Sequence, residues 1–342
     1  MYIPLLARIR LRIVRWHIAT LNFFLSALER FLFSPPLPAV RNVLVFKVGN
    51  IGDTICAVPS LVAIRRFYSR ATISLLSSPG EFGMAGAQEL LAGAWYLNHL
   101  KIYYPENIRS RSERKRFLQE LKKEQYDLFI QLPDDLANLR TLLRNMIFTR
   151  LIGVTHAFGF RIRTVQLFKK TQVDYMTQRT EVESLLDLLR ENGVTVKGVE
   201  YDFAILEDHK KKITDLLTGQ WGSRNGDSPL VVLNPGGKRR ANRWPADRFG
   251  EVGRYLQEKY GARIVIIGGL EDVPSAEVIQ GHVNPEYFLV LTGRLGLLET
   301  MELLKRADFL ISNDTGAVHM AAAMGLPVVW LYCTRNVFGR WF

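Results

Sequence analysis

From Pro229 onward the chain repeats one unit: a short β-branched run, a small or polar loop, then an amphipathic segment. Residues 230–233, 263–267, 288–291, 309–312 and 328–332 read as buried strands, since they are short, apolar and bounded by turn residues. Helices are predicted at 246–260, where Phe249, Val252 and Leu256 share a face, at 297–307 and at 317–324. Strands alternating with helices constrain the chain to the α/β class, a parallel sheet covered by helices on both faces.

The first four of these strands end in loops at 234–237, 268–272, 292–294 and 313–316. In an open α/β sheet ligands sit outside the carboxyl ends of the strands, so these loops are expected to converge. Asn313-Asp314-Thr315-Gly316 leads straight into a helix, whose free N–H groups and positive dipole end suit an anion. Gly316 has no side chain to obstruct a phosphate, and Arg243, in the basic loop 238–243, is placed to neutralise a diphosphate. Any one of these loops is equally an ordinary turn; four together point to a nucleotide.

The first half follows the same pattern. Residues 42–48 read as a strand, the loop Gly49-Asn50-Ile51-Gly52-Asp53 follows, and residues 54–68 read as a helix. The glycines let a ligand approach the backbone closely. The spacing is neither G-x-G-x-x-G nor a P-loop, which counts against an NAD enzyme and a P-loop ATPase. Asp53 either caps the helix or stands as a carboxylate at the mouth of the sheet, and the residues alone leave both readings open. Further strands are predicted at 71–76 and 126–132, and the basic run 109–123 reads as a solvated helix face. Asp134 and Asp135 do not form D-x-D, a pattern found nowhere in the chain, so no metal site is expected. The polar stretch 202–228 is taken as the boundary region, giving domains 41–215 and 216–342.

Residues 1–40 differ from the rest. Arg8, Arg10, Arg12 and Arg15 alternate with Leu5, Leu6, Ile9, Leu11, Ile13, Val14 and Trp16, and a run with Phe23, Phe24, Phe31 and Phe33 follows. Glu29 and Arg30 interrupt that run, which is too short and too charged for a spanning helix. The expectation is an amphipathic helix in the interface of an anionic membrane; a helix packed on its own domain is the alternative. Pro35, Pro36 and Pro38 end it.

The 342 residues suit two domains, and a net charge of +12 favours an anionic partner. Nucleic acid is disfavoured, because no stacking motif or compact basic helix accompanies the charge. Cys56 and Cys333 alone form no disulfide framework and read as buried hydrophobes.

Three signatures in order give the chain a family resemblance: Val48-Gly49-Asn50-Ile51-Gly52-Asp53 with Pro59; Asn234-Pro235-Gly236-Gly237 leading to Arg243-Trp244-Pro245; and Ser312-Asn313-Asp314-Thr315-Gly316-Ala317-Val318-His319 with Gly325-Leu326-Pro327. Across about residues 42–332 it resembles glycosyltransferase family 9, the ADP-heptose:lipopolysaccharide heptosyltransferases. The resemblance implies a GT-B fold of two facing Rossmann-like domains, acceptor in the first and nucleotide-sugar donor in the second. It implies cofactor-free, metal-independent, inverting transfer to lipopolysaccharide core or a related glycolipid, by a cytoplasmic protein peripheral to the inner membrane.

It further implies that Asp53 is the general base beside the acceptor-side loop of Gly49, Asn50 and Gly52. Donor contacts would come from Asn234, Gly236, Gly237, Arg243, Gly293, Asp314, Thr315 and Gly316, with Glu271 or Asp272 on the ribose. His319 matches the family histidine and is read as supporting the site. Family members continue beyond the last strand through a glycine- and proline-containing loop and further helices; here the chain stops at Phe342, so either it is truncated or its subfamily differs. A binding protein that holds a nucleotide sugar without turning it over is therefore the rival reading.

Overall fold

The computed structural model describes residues 5–35, 39–80, 82–83, 85–134, 137–163, 179–222, 228–237 and 239–332. Pro36, Pro38, Asp135, Lys238, Cys333 and the C-terminal tail lie outside the described residues, as do the side chains of Leu5, Leu6, Arg8, Arg10 and Leu11. The chain forms two compact units, one running from Met1 to Asp202 and the other beginning at Phe203.

The first unit holds α1 (Leu5–Leu32), β1 (Asn42–Phe46), α2 (Ile51–Phe67), β2 (Thr72–Ser77), α3 (Ala87–Leu90), β3 (His99–Ile102), α4 (Arg111–Lys123), β4 (Leu128–Gln131), α5 (Leu139–Leu151), β5 (His156–Phe158) and α6 (Glu181–Glu191). Its sheet is parallel with order β3-β2-β1-β4-β5. Val43, Leu44 and Val45 are fully buried, as continuous apolar strands in a doubly covered parallel sheet must be. The basic run forms α4, capped by Ser110 and Glu113, with Leu121 as its buried anchor.

The segment α1 belongs to this unit. Val14, Leu25 and Phe33 are buried, and Leu25 and Phe33 join the core cluster around Phe129 and Phe160. Phe33 stacks on Phe160 at 5.5 Å between ring centroids, and Phe160 stacks on Phe129 at 5.9 Å. Ser34 then bridges to His156 in parallel, which covers part of the β5 edge.

The second unit holds α7 (Glu207–Trp221), β6 (Leu230–Asn234), α8 (Ala246–Tyr260), β7 (Arg263–Ile266), α9 (Val273–Gln280), β8 (Phe288–Val290), α10 (Leu297–Arg306), β9 (Phe309–Asn313), α11 (Gly316–Ala323) and β10 (Val328–Leu331). The sheet order is β10-β9-β6-β7-β8, all parallel. Counted from the first strand of each unit, the two orders are the same. Each therefore reverses direction once, between β1 and β4 and between β6 and β9, and those two points are where such sheets open a crevice.

The units divide at Asp202–Phe203, earlier than the expected 215–216. The polar stretch taken as a boundary contains α7, which docks on α10. Lys212 Nζ reaches Glu299 at 2.7 Å, and Arg306 donates to Thr214 Oγ1 at 2.7 Å and to the Lys210 carbonyl at 2.9 Å. Ile213 is the buried apolar anchor of this mostly charged helix. No helix among the described residues is long and apolar enough to cross a membrane.

Candidate active site

In the second unit the four loops meet. Asn234, the last residue of β6, is buried, and its Nδ2 donates to Ser312 Oγ at 2.9 Å and to Thr315 Oγ1 at 2.7 Å. Asn313, the last residue of β9, donates from Nδ2 to the Pro235 carbonyl at 2.7 Å and accepts from the Trp244 N–H at 3.0 Å. Two buried strands thus end in two asparagines that cross-tie their loops, at the point where the strand order reverses.

Thr315 is the N-cap of α11, its hydroxyl accepting from the Ala317 N–H at 3.3 Å. Gly316 opens the helix, and Asp314 stands beside it, half-buried. The Ala317 and Val318 N–H groups are taken up by Thr315, and the positive end of the α11 dipole lies at Thr315 and Gly316.

Arg243 folds back over this loop, donating from Nε to the Gly237 carbonyl at 2.7 Å, with Nη2 3.8 Å from Asp272 Oδ1. Gly236 must be glycine, because a Cβ there would run into the Asp272 carboxylate. Asp272 is buried; its Oδ2 accepts from the Gly269 N–H at 3.0 Å, while Oδ1 has no hydrogen-bond donor among the described residues. Burial pushes the Asp272 carboxyl above the usual carboxylate range, and Glu271 adds to this; the Gly269 N–H and Arg243 oppose it. Glu271 is exposed on the same loop. Gly293 has a positive φ of 72° and donates its N–H to the Gly268 carbonyl at 2.9 Å, tying in the fourth loop.

His319 lies one turn into α11, its ring edge-on to Trp330 at 5.9 Å. Burial pushes its pKa down to about 4, so the imidazole is neutral near pH 7 and is not a proton donor there.

In the first unit, Gly49, Asn50, Gly52 and Asp53 form the turn from β1 into α2. Asn50 is the N-cap, and Asp53 Oδ2 accepts from its N–H at 3.0 Å. Gly49 has φ of 153°, and a Cβ there would collide with Asp53. The cap reading thus describes one oxygen of Asp53. Burial pushes this carboxyl above the ordinary carboxylate value. Glu181 and Asp134 push the same way, while Lys47 and the Asn50 N–H oppose. A carboxyl shifted toward neutral pH is suited to accept a proton.

Sequence reasoning missed the charges around Asp53. Lys47, at 2% exposure directly after β1, lies 3.5 Å from Glu181 Oε1, and Arg163 Nη2 reaches the same oxygen at 2.6 Å. Arg163 also donates to the Pro133 carbonyl at 2.5 Å, in the turn that carries Asp134. A lysine inside the apolar run Asn-Val-Leu-Val-Phe-Lys-Val was the available signal, since a lysine so enclosed is almost always paired.

Residues 114–338 match glycosyltransferase family 9 (heptosyltransferase), a stretch that begins after Asp53. Lipopolysaccharide heptosyltransferase 2 of Escherichia coli is 23% identical over 228 residues, covering 64% of this chain and 63% of that protein. The chain spans between about a third and just under two thirds of the length of the first curated relatives it matches. Among solved structures, a family 9 glycosyl transferase from Veillonella parvula superposes with a TM-score of 0.70 at 22% identity, over 90% of this chain and 86% of that one. An Escherichia coli heptosyltransferase solved with ADP superposes with a TM-score of 0.61 at 20% identity, over 87% and 90%. These likenesses bear out the two-sheet GT-B fold. The matched stretch covers well over half of the residues and includes the Asn234 and Asn313 loops, so the chain belongs to glycosyltransferase family 9, the heptosyltransferase family.

Proposed function

We propose that the chain is a metal-independent inverting glycosyltransferase. It transfers a sugar, heptose from ADP-heptose, to lipopolysaccharide core or a related glycolipid. The observation that carries this reading is the cross-tie of Asn234 to Thr315 and of Asn313 to Pro235, which fixes two loops around the α11 N-terminus. Family membership supports it, as do the names of relatives and the ADP held by one structural neighbour. The protein acts at the cytoplasmic face of the bacterial inner membrane as a peripheral protein.

In this mechanism Asp53 takes the proton of an acceptor hydroxyl as its oxygen forms a bond to the anomeric carbon. The bond from that carbon to the phosphate oxygen breaks, and the nucleotide diphosphate leaves with the electron pair. Arg243 and the N–H groups at Thr315 and Gly316 meet the charge that develops on it, a role that elsewhere falls to a metal ion. Glu271 is better placed than Asp272 for the ribose, because Asp272 is enclosed and engaged with Gly269.

The test is a panel of nucleotide sugars scored by the rise in unfolding temperature, followed by acceptor-dependent release of free nucleotide. ADP-heptose should protect most and be consumed only with a lipopolysaccharide-core acceptor. Protection without turnover under any acceptor would reduce the chain to a nucleotide-sugar-binding protein.

A further inference from the structure

The outer face of α1 carries the inference. At about 100° per residue, Ile9, Ile13, Trp16, Phe23, Phe24 and Phe31 fall within about 100° of arc, opposite Val14, Leu25 and Leu32. Trp16 is 73% exposed and Phe31 85%, while Leu25, across the helix, is at 1%. Arg12 and Arg30 are exposed along one flank of this apolar stripe.

The charge is one-sided. Glu29 is the only carboxylate in the helix, and it is turned inward, accepting from the Phe160 N–H at 3.1 Å. Asn22 fixes the same inner face, donating to the Ile162 carbonyl and accepting from the Ile162 N–H, each at 2.8 Å. With polar locks and core contacts on one side, α1 cannot roll its aromatic stripe into the domain. A water-facing stripe of this size in a soluble fold marks a contact surface.

We infer that the stripe of Ile13, Trp16, Phe23, Phe24 and Phe31, with its flanking arginines, docks this unit in-plane on an anionic lipid bilayer. The occupant is fixed by charge: cations and aromatics with no exposed carboxylate match acidic headgroups above an acyl boundary. A second copy of the chain would set the same arginines against each other. The surface deepens the peripheral-membrane part of the proposed function, and lipid binding is measured apart from sugar transfer, so either can fail alone.

The experiment is co-sedimentation of the full chain with vesicles of mixed phosphatidylglycerol and phosphatidylcholine, against phosphatidylcholine alone. Binding is expected only with the acidic lipid, and weakens at high salt. The double variant Trp16→Ser/Phe23→Ser should lose roughly tenfold or more in partitioning. Arg12→Glu/Arg30→Glu should do the same on acidic vesicles. Both variants alter exposed side chains, and an unchanged unfolding temperature confirms that they fold. Equal binding to both vesicle types, undiminished binding by the aromatic variant, or a stable dimer that ignores vesicles would each overturn the proposal.

Discussion

Lys47 Nζ and Glu181 Oε1 lie 3.5 Å apart, both side chains shut off from solvent, although 134 positions separate them in sequence. The two charges act on Asp53 with opposite sign, Lys47 favouring its ionised form and Glu181 its protonated form. Lys47→Met should therefore move the acidic limb of the kcat/KM profile to higher pH, and Glu181→Gln should move it to lower pH. Glu181→Gln also leaves Lys47 and Arg163 without their shared anion, a loss of about 3–5 kcal/mol for a broken buried pair. The check is a pH–rate profile of each variant at a temperature where both remain folded; shifts of the same sign would remove the pair from the control of Asp53.

Asp53→Asn should cut turnover by at least about a hundredfold, the usual contribution of a positioned base, while nucleotide binding is unchanged. The fold should respond in the other direction. Because the folded Asp53 pKa is raised, the stability it contributes is present below the unfolded pKa and is lost as pH rises through the folded value. The asparagine variant keeps an oxygen to accept the Asn50 N–H and carries no charge. Its unfolding temperature should thus exceed the wild type's at pH 8, and the gap should close at acid pH. Thermal unfolding across pH measures this directly.

Glu271 and Asp272 are adjacent in sequence and separable in role. Glu271→Ala should weaken ADP binding by roughly tenfold or more, the loss of a charge-assisted hydrogen bond, without a change in unfolding temperature. Asp272→Ala should lower the unfolding temperature instead, because the Gly269 N–H loses its acceptor and Arg243 its neighbouring carboxylate. Calorimetric titration with ADP, beside thermal unfolding of the unliganded variants, distinguishes the two.

The second unit was the easier half to read, for a physical reason. The central strands β6, β7 and β9 are largely buried, so they read as apolar runs broken by Arg263 at the start of β7 and Ser312 near the end of β9, and each leads into a polar or glycine loop; the edge strand β10, expected to be buried, leaves Val329 half-exposed. In the first unit β3 and β5 escaped notice. His99–Ile102 is partly exposed and contains two basic residues, and His156–Phe158 is only three residues long. The helix α7 lies within the stretch read as the domain boundary, because its apolar stripe is weak and its docking relies on long side chains reaching α10. The Asp53 turn was legible in its glycines. The charges that tune it were not, since the chemistry of Lys47 depends on a partner that only folding brings near.

Thr315 offers the sharpest test of the donor loop. Its hydroxyl has two duties: it accepts from the Ala317 N–H as the α11 cap, and it accepts from Asn234 Nδ2 across the crevice. Thr315→Ser preserves both, and nucleotide affinity and stability should stay close to wild type. Thr315→Val keeps the shape and removes the oxygen. The cap loss costs about 1 kcal/mol, and leaving a buried Asn234 donor with one acceptor fewer adds about 1–2 kcal/mol. Because the same loop presents the α11 N–H groups, ADP binding should fall along with the unfolding temperature. If the Thr315→Val substitution lowered stability while calorimetric affinity for ADP held, the cap would support the fold alone, and the diphosphate would have to be held elsewhere.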